Sequence, residues 1–133
     1  MICLDNSVLR RLASPQSFPK VNSYLSDHSS EPWVTPATVA FEYYAYYGSQ
    51  SKVRQQQRVL NNKLDGILPF TDDVASEAAQ LQLLLGKQNV SLDIADLLHA
   101  ATAREAGVTF VTRDADDYDK EPLKQLMSVE IIS

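Results

Sequence analysis

Cysteine, histidine and long apolar runs are what this sequence lacks. Cys3 is the only cysteine in 133 residues, so no disulfide can form within the chain and no cysteine-rich zinc site can be assembled. His28 and His99 are the only histidines, which excludes a three-histidine centre and an HExxH zinc motif. The longest aliphatic run is Leu83-Leu84-Leu85, far short of the ~20 residues that span a bilayer. The opening Met-Ile-Cys-Leu-Asp carries no basic segment, so it does not read as a signal peptide, and a soluble cytoplasmic protein with no membrane association is expected. Basic residues are also in deficit. Lys plus Arg number 12 against 17 Asp plus Glu, a net charge of −5, the wrong sign for binding nucleic acid through a broad basic surface.

What is present is an ordinary globular balance, 44% hydrophobic and 22% charged. A chain of this length buries roughly two-thirds of its unfolded surface and needs no staple to fold. No shift in composition and no repeat divides it, so residues 1–133 are expected to form one domain. Loops are predicted over 13–19, over 26–32 and around Gly48-Ser49.

Short strands alternate with helices. Strands are predicted at Ile2–Leu4, Trp33-Val34, Ile67-Leu68, Val108–Thr112 and Val129–Ile132. After the first strand, Asn6 or Ser7 reads as the cap of a helix with Val8, Leu9 and Leu12 inward. A second short helix holds Val21, Tyr24 and Leu25. Thr35-Pro36 reads as N-cap and first helical residue of a segment running to Tyr47. Lys52–Leu64 reads as a helix stopped by Gly66. Thr71 caps a helix with Val74, Ala78, Leu81 and Leu85 inward and Gly86 at its end. Ser91 reads as the cap of a helix closed by Gly107. Strands separated by helices pair in parallel through right-handed crossovers, and strands without alternation are covered on both faces. The fold class expected is α/β, a three-layer α/β/α domain with a central, mainly parallel sheet.

In such a sheet ligands bind beyond the carboxyl ends of the strands. Asp5 and Asp114 fall at two such ends, and Glu42 and Asp96 lie early in helices. If the first and fourth strands are neighbours, all four acids can share one rim. Each has a plainer reading. Asp5 can cap a helix, Glu42 can be solvated, and most of the stretch Asp114, Asp116, Asp117 and Asp119 is expected in water. Asp93 reads as compensation of a helix dipole. Asp96 resists a plain reading, because its helix is apolar almost all round and a buried carboxylate needs a partner. At an effective dielectric of 20, carboxylates ~4 Å apart repel by ~4 kcal/mol. A divalent cation removes that cost, and oxygen-only ligands point to Mg²⁺ or Mn²⁺.

Four segments carry a resemblance. Ile2-Cys-Leu-Asp5-Asn-Ser-Val-Leu9, Thr35-Pro-Ala-Thr-Val-Ala-Phe-Glu42, Asp96-Leu-Leu-His-Ala-Ala-Thr-Ala103 and Thr109-Phe-Val-Thr-Arg-Asp114-Ala-Asp-Asp-Tyr118 resemble, in order and spacing, the motifs of PIN-domain ribonucleases. The length and the late apolar strand look like the VapC-type toxins of toxin–antitoxin pairs. The resemblance implies a single PIN-like domain and a Mg²⁺- or Mn²⁺-dependent endoribonuclease leaving 5′-phosphate and 3′-hydroxyl ends. Asp5, Glu42 and Asp96 match the family's three principal acids and Asp114 the fourth, as catalytic and metal-binding residues. Ser7 and Thr112 match the small hydroxyl residues beside them, and Asn6 stands where threonine is usual. His99 replaces a usual aliphatic residue and is expected to be packed or hydrogen-bonded, within reach of Asp96.

The partners implied are an RNA substrate, a cognate antitoxin and a second copy of the chain. An antitoxin helix would lie in an apolar groove, with Val8, Leu9, Leu12, Val21, Tyr24, Leu25 and Tyr43–Tyr47 as candidate lining, and its Arg or Lys would occupy the metal position. Tyr43, Tyr44, Tyr46 and Tyr47 read as packing, with RNA stacking as the sharper alternative. Lys52, Arg54, Arg58 and Lys63 form one basic patch, and Arg10, Arg11 and Lys20 another. Two rival classes are set against the nuclease. A phosphoryl-transfer enzyme or receiver on a similar sheet lacks its marks here, since a dehalogenase-type phosphatase needs Asp-x-Asp where this chain has Asp5-Asn6-Ser7. A catalytically inactive PIN fold that only binds a partner is the other.

Overall fold

The structure, a computed structural model, describes residues 1–12 and 18–133. Most of the loop expected over 13–19 lies outside the described residues. Among the described residues the elements follow in the order β1 (Ile2–Leu4), α1 (Asn6–Leu12), α2 (Pro19–Asp27), β2 (Trp33–Pro36), α3 (Ala37–Ala45), α4 (Gln50–Lys63), β3 (Gly66–Leu68), α5 (Asp72–Gly86), α6 (Ile94–Ala106), β4 (Thr109–Thr112), α7 (Ala115–Tyr118), α8 (Glu121–Leu126) and β5 (Val129–Ile131).

The five strands form one parallel sheet in the order β3-β2-β1-β4-β5. The chain builds outward from β1 to β2 and β3, then returns to the other side of β1 for β4 and β5. The order therefore reverses between β1 and β4, which pair Ile2 with Thr109, Cys3 with Phe110 and Leu4 with Val111. A reversal of this kind opens a crevice at the carboxyl ends of the two strands.

The pleat sends alternate residues to opposite faces. Ile2, Leu4 and Val111 enter one core with Val8, Leu9, Val21, Leu25, Val39, Tyr43 and Leu60. Cys3, Val34 and Phe110 enter a second with Leu81, Leu85, Leu97, Ala100, Tyr118 and Leu123. Helices α1–α4 thus cover one face and α5–α8 the other, completing the three-layer α/β/α arrangement. The buried strand residues are apolar on both sides, which is why their sequence shows no alternation.

Several boundaries differ from the sequence expectation. Pro36 does not open a helix turn behind a capping Thr35; β2 runs through Pro36, which is itself the extended N-cap of α3. The Thr35 hydroxyl, fully buried, instead donates to the Leu4 carbonyl at 2.6 Å. A buried hydroxyl must find an acceptor, and the neighbouring strand supplies it. Helix α3 ends at Ala45, two residues before Tyr47. Gly66 begins β3 rather than ending α4, whose C-cap is the extended Leu64. Asp93, not Ser91, is the N-cap residue of α6, with no side-chain capping bond. Thr71 caps α5 through Val74 N, and Gly107 closes α6 in the left-handed conformation at φ 70°, both as expected. After α5 the left-handed residue is Asn89, at φ 57°.

Helix α6 is not enclosed all round. Ile94 is 65% exposed and Ala95 is exposed, whereas Leu97 and 99–103 are buried. Among the described residues no helix is long and apolar enough to cross a membrane.

The aliphatic run at the end of α5 gives a sharp test of the packing. Leu85 is 1% exposed and Leu83 69%. Leu85→Ala should cost about 2–5 kcal/mol, the range for a buried leucine that leaves a cavity. Leu83→Ala should stay within about 0.5 kcal/mol. Urea unfolding of the two variants measures both.

Candidate active site

Asp5 follows β1 directly, and its backbone N–H continues the ladder by donating to the Val111 carbonyl at 2.9 Å. Its carbonyl accepts from Val8 and Leu9 N–H, so its main chain starts α1. Its side chain does not cap. The carboxylate is 6% exposed, and its Oδ2 accepts from Thr112 Oγ1 at 2.7 Å and Ser7 Oγ at 3.1 Å. Thr112 Oγ1 also accepts from Asp114 N at 3.0 Å, and Ser7 Oγ from Arg113 N at 2.9 Å. The two hydroxyls lie 3.2 Å apart. One small network thus joins the ends of β1 and β4. Asn6 stands outside it: the residue is buried and its Oδ1 has no hydrogen-bond partner among the described residues.

Asp96 sits in the first turn of α6 and accepts from Tyr118 Oη at 3.1 Å. Burial raises its pKa; the Tyr118 hydrogen bond and His99 oppose that rise, and the charges of Asp5 and Asp93 add to it. Tyr118, 1% exposed, packs edge-to-face on Phe110 at 5.1 Å. Burial first, then the charges of Asp5, Asp96 and Glu42, push its phenol far above the usual tyrosine range. Tyr118 therefore stays protonated, a fixed donor to Asp96 that also feels the charges of Asp5 and Glu42. The sequence reading gave it no role; the signal available was an aromatic residue four places after Asp114.

Glu42 is half-buried on α3. Its Oε1 lies 2.9 Å from His99 Nε2, a close contact without hydrogen-bond alignment, while His99 Nδ1 and Thr38 Oγ1 share a hydrogen bond of 2.8 Å. His99 is 1% exposed. The expected packed histidine is thus also the neighbour of an acid, and Thr38 and Glu42, one turn apart, hold its ring from one helix.

Asp114 is the N-cap of α7 and accepts from Asp117 N at 3.2 Å. Asp117, expected in water, belongs to the same rim. Its pKa is pushed up to about 6, first by side-chain hydrogen bonding between its carboxyl and that of Asp114, then by burial and the charges of Asp96, Asp114 and Asp93. Asp93 is exposed at the start of α6, where a negative charge suits the dipole. Cys3 is buried, and its thiol is pushed well above the normal range by burial and by Asp5, so it is no nucleophile.

The apolar side chains expected to line a groove divide. Val8, Leu9, Val21, Leu25 and Tyr43 are core, and Leu12, Tyr24, Tyr44 and Tyr47 pack against it. Tyr46 is exposed, with Arg10 over its ring at 5.9 Å. Lys52, Arg54, Arg58 and Lys63 lie on the solvent side of α4.

The acids suit a hard divalent cation by donor type and by crowding. Every candidate donor is a carboxylate oxygen, and Asp96, its pKa raised first by burial and further by the charges of Asp5 and Asp93, is an acid that a cation would relieve. Among the described residues, however, no three Asp, Glu, His or Cys side chains stand close enough together to hold an ion as they are.

Residues 2–121 match the model of the PIN domain. The chain belongs to the PIN-domain family. Solved structures agree with this. The PIN domain resembles a chain of FitAcB from Neisseria gonorrhoeae with a TM-score of 0.75 and 25% identity, covering 97% of this chain and 96% of the other. It resembles a chain of VapBC-5 from Mycobacterium tuberculosis, a member of the VapBC family of toxin–antitoxin systems, with a TM-score of 0.61, 26% identity and coverage of 98% and 95%. A chain of DNA-bound VapBC2 from Rickettsia felis gives a TM-score of 0.76 at 15% identity over the whole of both chains, a likeness of fold. No curated protein matches by sequence.

Thr112 holds the network of this PIN domain together, so Thr112→Val should leave Asp5 Oδ2 and Asp114 N each short of a partner. The expected loss is about 1–3 kcal/mol. Thr109→Val, on the same strand with its hydroxyl at the exposed end, should cost within about 0.5 kcal/mol. Denaturant unfolding at neutral pH compares them; equal small losses would show that the network carries no stability.

Proposed function

We propose that this PIN domain is a metal-dependent endoribonuclease and the toxin of a type II toxin–antitoxin pair. One observation carries the reading: a single hydrogen-bonded network at the crevice between β1 and β4 joins Asp5 and Asp114 through Thr112, and α6 brings to it Asp96, held by Tyr118, and His99, which lies against Glu42. Asp5 and Asp96, with Glu42 and Asp114, would hold Mg²⁺ or Mn²⁺. When bound, the ion supplies Lewis-acid polarisation of the phosphodiester and activation of the attacking water. The chain's own residues prepare the acids for that task. Ser7 and Thr112 direct both hydroxyl protons to one oxygen of Asp5 and leave its other oxygen without a protein donor among the described residues. Tyr118 fixes Asp96, and His99, set by Thr38, lies against Glu42.

The RNA substrate is supported by likeness. VapC20 from Mycobacterium tuberculosis, which shares the fold with a TM-score of 0.62, is a toxin that cleaves the sarcin–ricin loop. A cognate antitoxin is supported by the toxin–antitoxin complexes among the similar structures. Phe41 on α3 and Tyr46 at its C-cap, 69% and 76% exposed, offer apolar surface to an antitoxin or to a second copy in a homodimer. The cytoplasm suits such a pair.

A second reading, a PIN fold that binds a partner without cleaving, is favoured by the absence of three preassembled ligands among the described residues. Cleavage of single-stranded RNA by the antitoxin-free protein separates the two. The nuclease should work with Mn²⁺, stop in EDTA and leave 5′-phosphate ends. Asp5→Asn, Glu42→Gln and Asp96→Asn should each lower the rate on the order of 100-fold or more, as damage to metal sites does, while Asp93→Asn keeps activity. Loss with Asp93→Asn and survival with Asp96→Asn would show that the acid of α6 is misassigned. No metal-dependent cleavage by a protein that still binds its antitoxin would establish the binding module.

A further inference from the structure

Beside the acidic rim lies a cleft of about 430 Å³ lined by Ser7, Arg11, Arg113, Asp114, Ala115 and Asp116. Two guanidinium groups of like charge meet there. Ser7 ties both residues: the Arg11 guanidinium, whose Nη1 donates to the Ser7 carbonyl at 3.3 Å, and the main chain of Arg113, whose N–H donates to the Ser7 hydroxyl. The Arg11 guanidinium is further held over the Phe18 ring, 5.0 Å from its centroid. Both Nε atoms are buried and without a hydrogen-bond partner among the described residues. Neither arginine forms an ion pair among the described residues, although two carboxylates line the same cleft. Burial, then Arg113 and Arg10, lower the pKa of Arg11. Each guanidinium keeps a buried Nε–H without a partner among the described residues, and the oxygens of a tetrahedral phosphate match the fork geometry of such donors.

We propose that Arg11 and Arg113 form a phosphate subsite that seats the RNA phosphodiester next to the one being cut. The proposal rests on the nuclease reading for its choice of ligand. Ser7 gives the subsite its place, because the hydroxyl that receives the Arg113 N–H donates to Asp5. Ser7 and Asp114 belong to both the rim and the cleft, so a strand crossing the rim lays its neighbouring phosphate beside the two arginines. Asp116 is exposed at the mouth, where water and salt screen its charge. In a chain of net charge −5, a local pair of this kind supplies the contact to the backbone that no broad basic surface provides.

The test is binding of a short single-stranded RNA to the intact chain in EDTA, where no cleavage occurs, read by fluorescence anisotropy over a range of salt. Arg11→Gln and Arg113→Gln should each weaken binding roughly tenfold and reduce the salt slope by about 0.7, one phosphate contact on a single strand. Lys87→Gln, at the far end of α5, should change neither. Arg113→Lys keeps the charge, so it should keep the slope while losing affinity, and it serves if a glutamine variant fails to fold. Inorganic phosphate should compete weakly with RNA in the wild type and not in Arg113→Gln. Arginine-dependent phosphate binding with arginine-independent RNA binding would overturn the proposal, as would displacement of RNA by poly-glutamate at lower concentration than by unlabelled RNA, which marks a site for protein carboxylates. Arginine-dependent RNA binding without cleavage would sink the nuclease and keep the subsite. Cleavage with arginine-independent binding would sink the subsite alone.

Discussion

The hydrogen bond from the Thr112 hydroxyl to the Asp5 carboxylate, 2.7 Å long across 107 residues of sequence, is the contact on which the site depends. It exists because β4 returns to lie beside β1, and it ties the first acid of the chain to the strand that delivers the last. Thr112 is fully buried, so its hydroxyl needs partners, and it finds them in Asp5 and in Asp114 N–H. Parallel strands cannot pair without long crossovers, and the crossovers place α3 and α6 near the same strand ends. The gathering of Glu42 and Asp96 with Asp5 follows from that topology.

The rim stores opposed electrostatic terms. Three of the carboxylates are met by protein donors, hydroxyls for Asp5, a phenol for Asp96 and a main-chain N–H for Asp114, while Glu42 lies against the His99 imidazole without an aligned hydrogen bond. These donors hold the acids apart and oriented. Burial raises the pKa of Asp96, and a side-chain hydrogen bond with Asp114 raises that of Asp117. On the far side of Ser7 the sign reverses, with two arginines facing one cleft. The two arginines thus sit directly beside the acids, with Asp114 lining both rim and cleft.

The sheet was legible in sequence because its strands are short, apolar and separated by helical periods; all five were found to within a residue or two. Helix starts were harder. Thr35, Ser91 and Gly66 carry the chemistry of caps and stops, and tertiary structure used each otherwise: Thr35 as a donor to β1, Gly66 as a strand residue, and Ser91 outside the helix. Asp5, Ser7 and Thr112 were legible through strand ends and a family resemblance. Tyr118, Asp117 and the pairing of His99 with Glu42 were not, because each depends on how α7, α6 and α3 pack, and no local pattern records that. The two arginines show the same limit. Arg11 was visible only as surface charge and Arg113 only as a neighbour of Asp114, and their meeting needs β1 and β4 side by side.

The central claim is that the acids at the ends of β1 and β4 form one divalent-cation site. Anomalous scattering from crystals of the protein soaked with Mn²⁺ tests it most directly. The expected result is a strong peak in contact with the carboxylates of Asp5 and Asp96, absent from Asp5→Asn crystals treated alike. Saturating Mn²⁺ with no peak at that rim, and Asp5 and Asp96 still bonded only to Thr112, Ser7 and Tyr118, would contradict it.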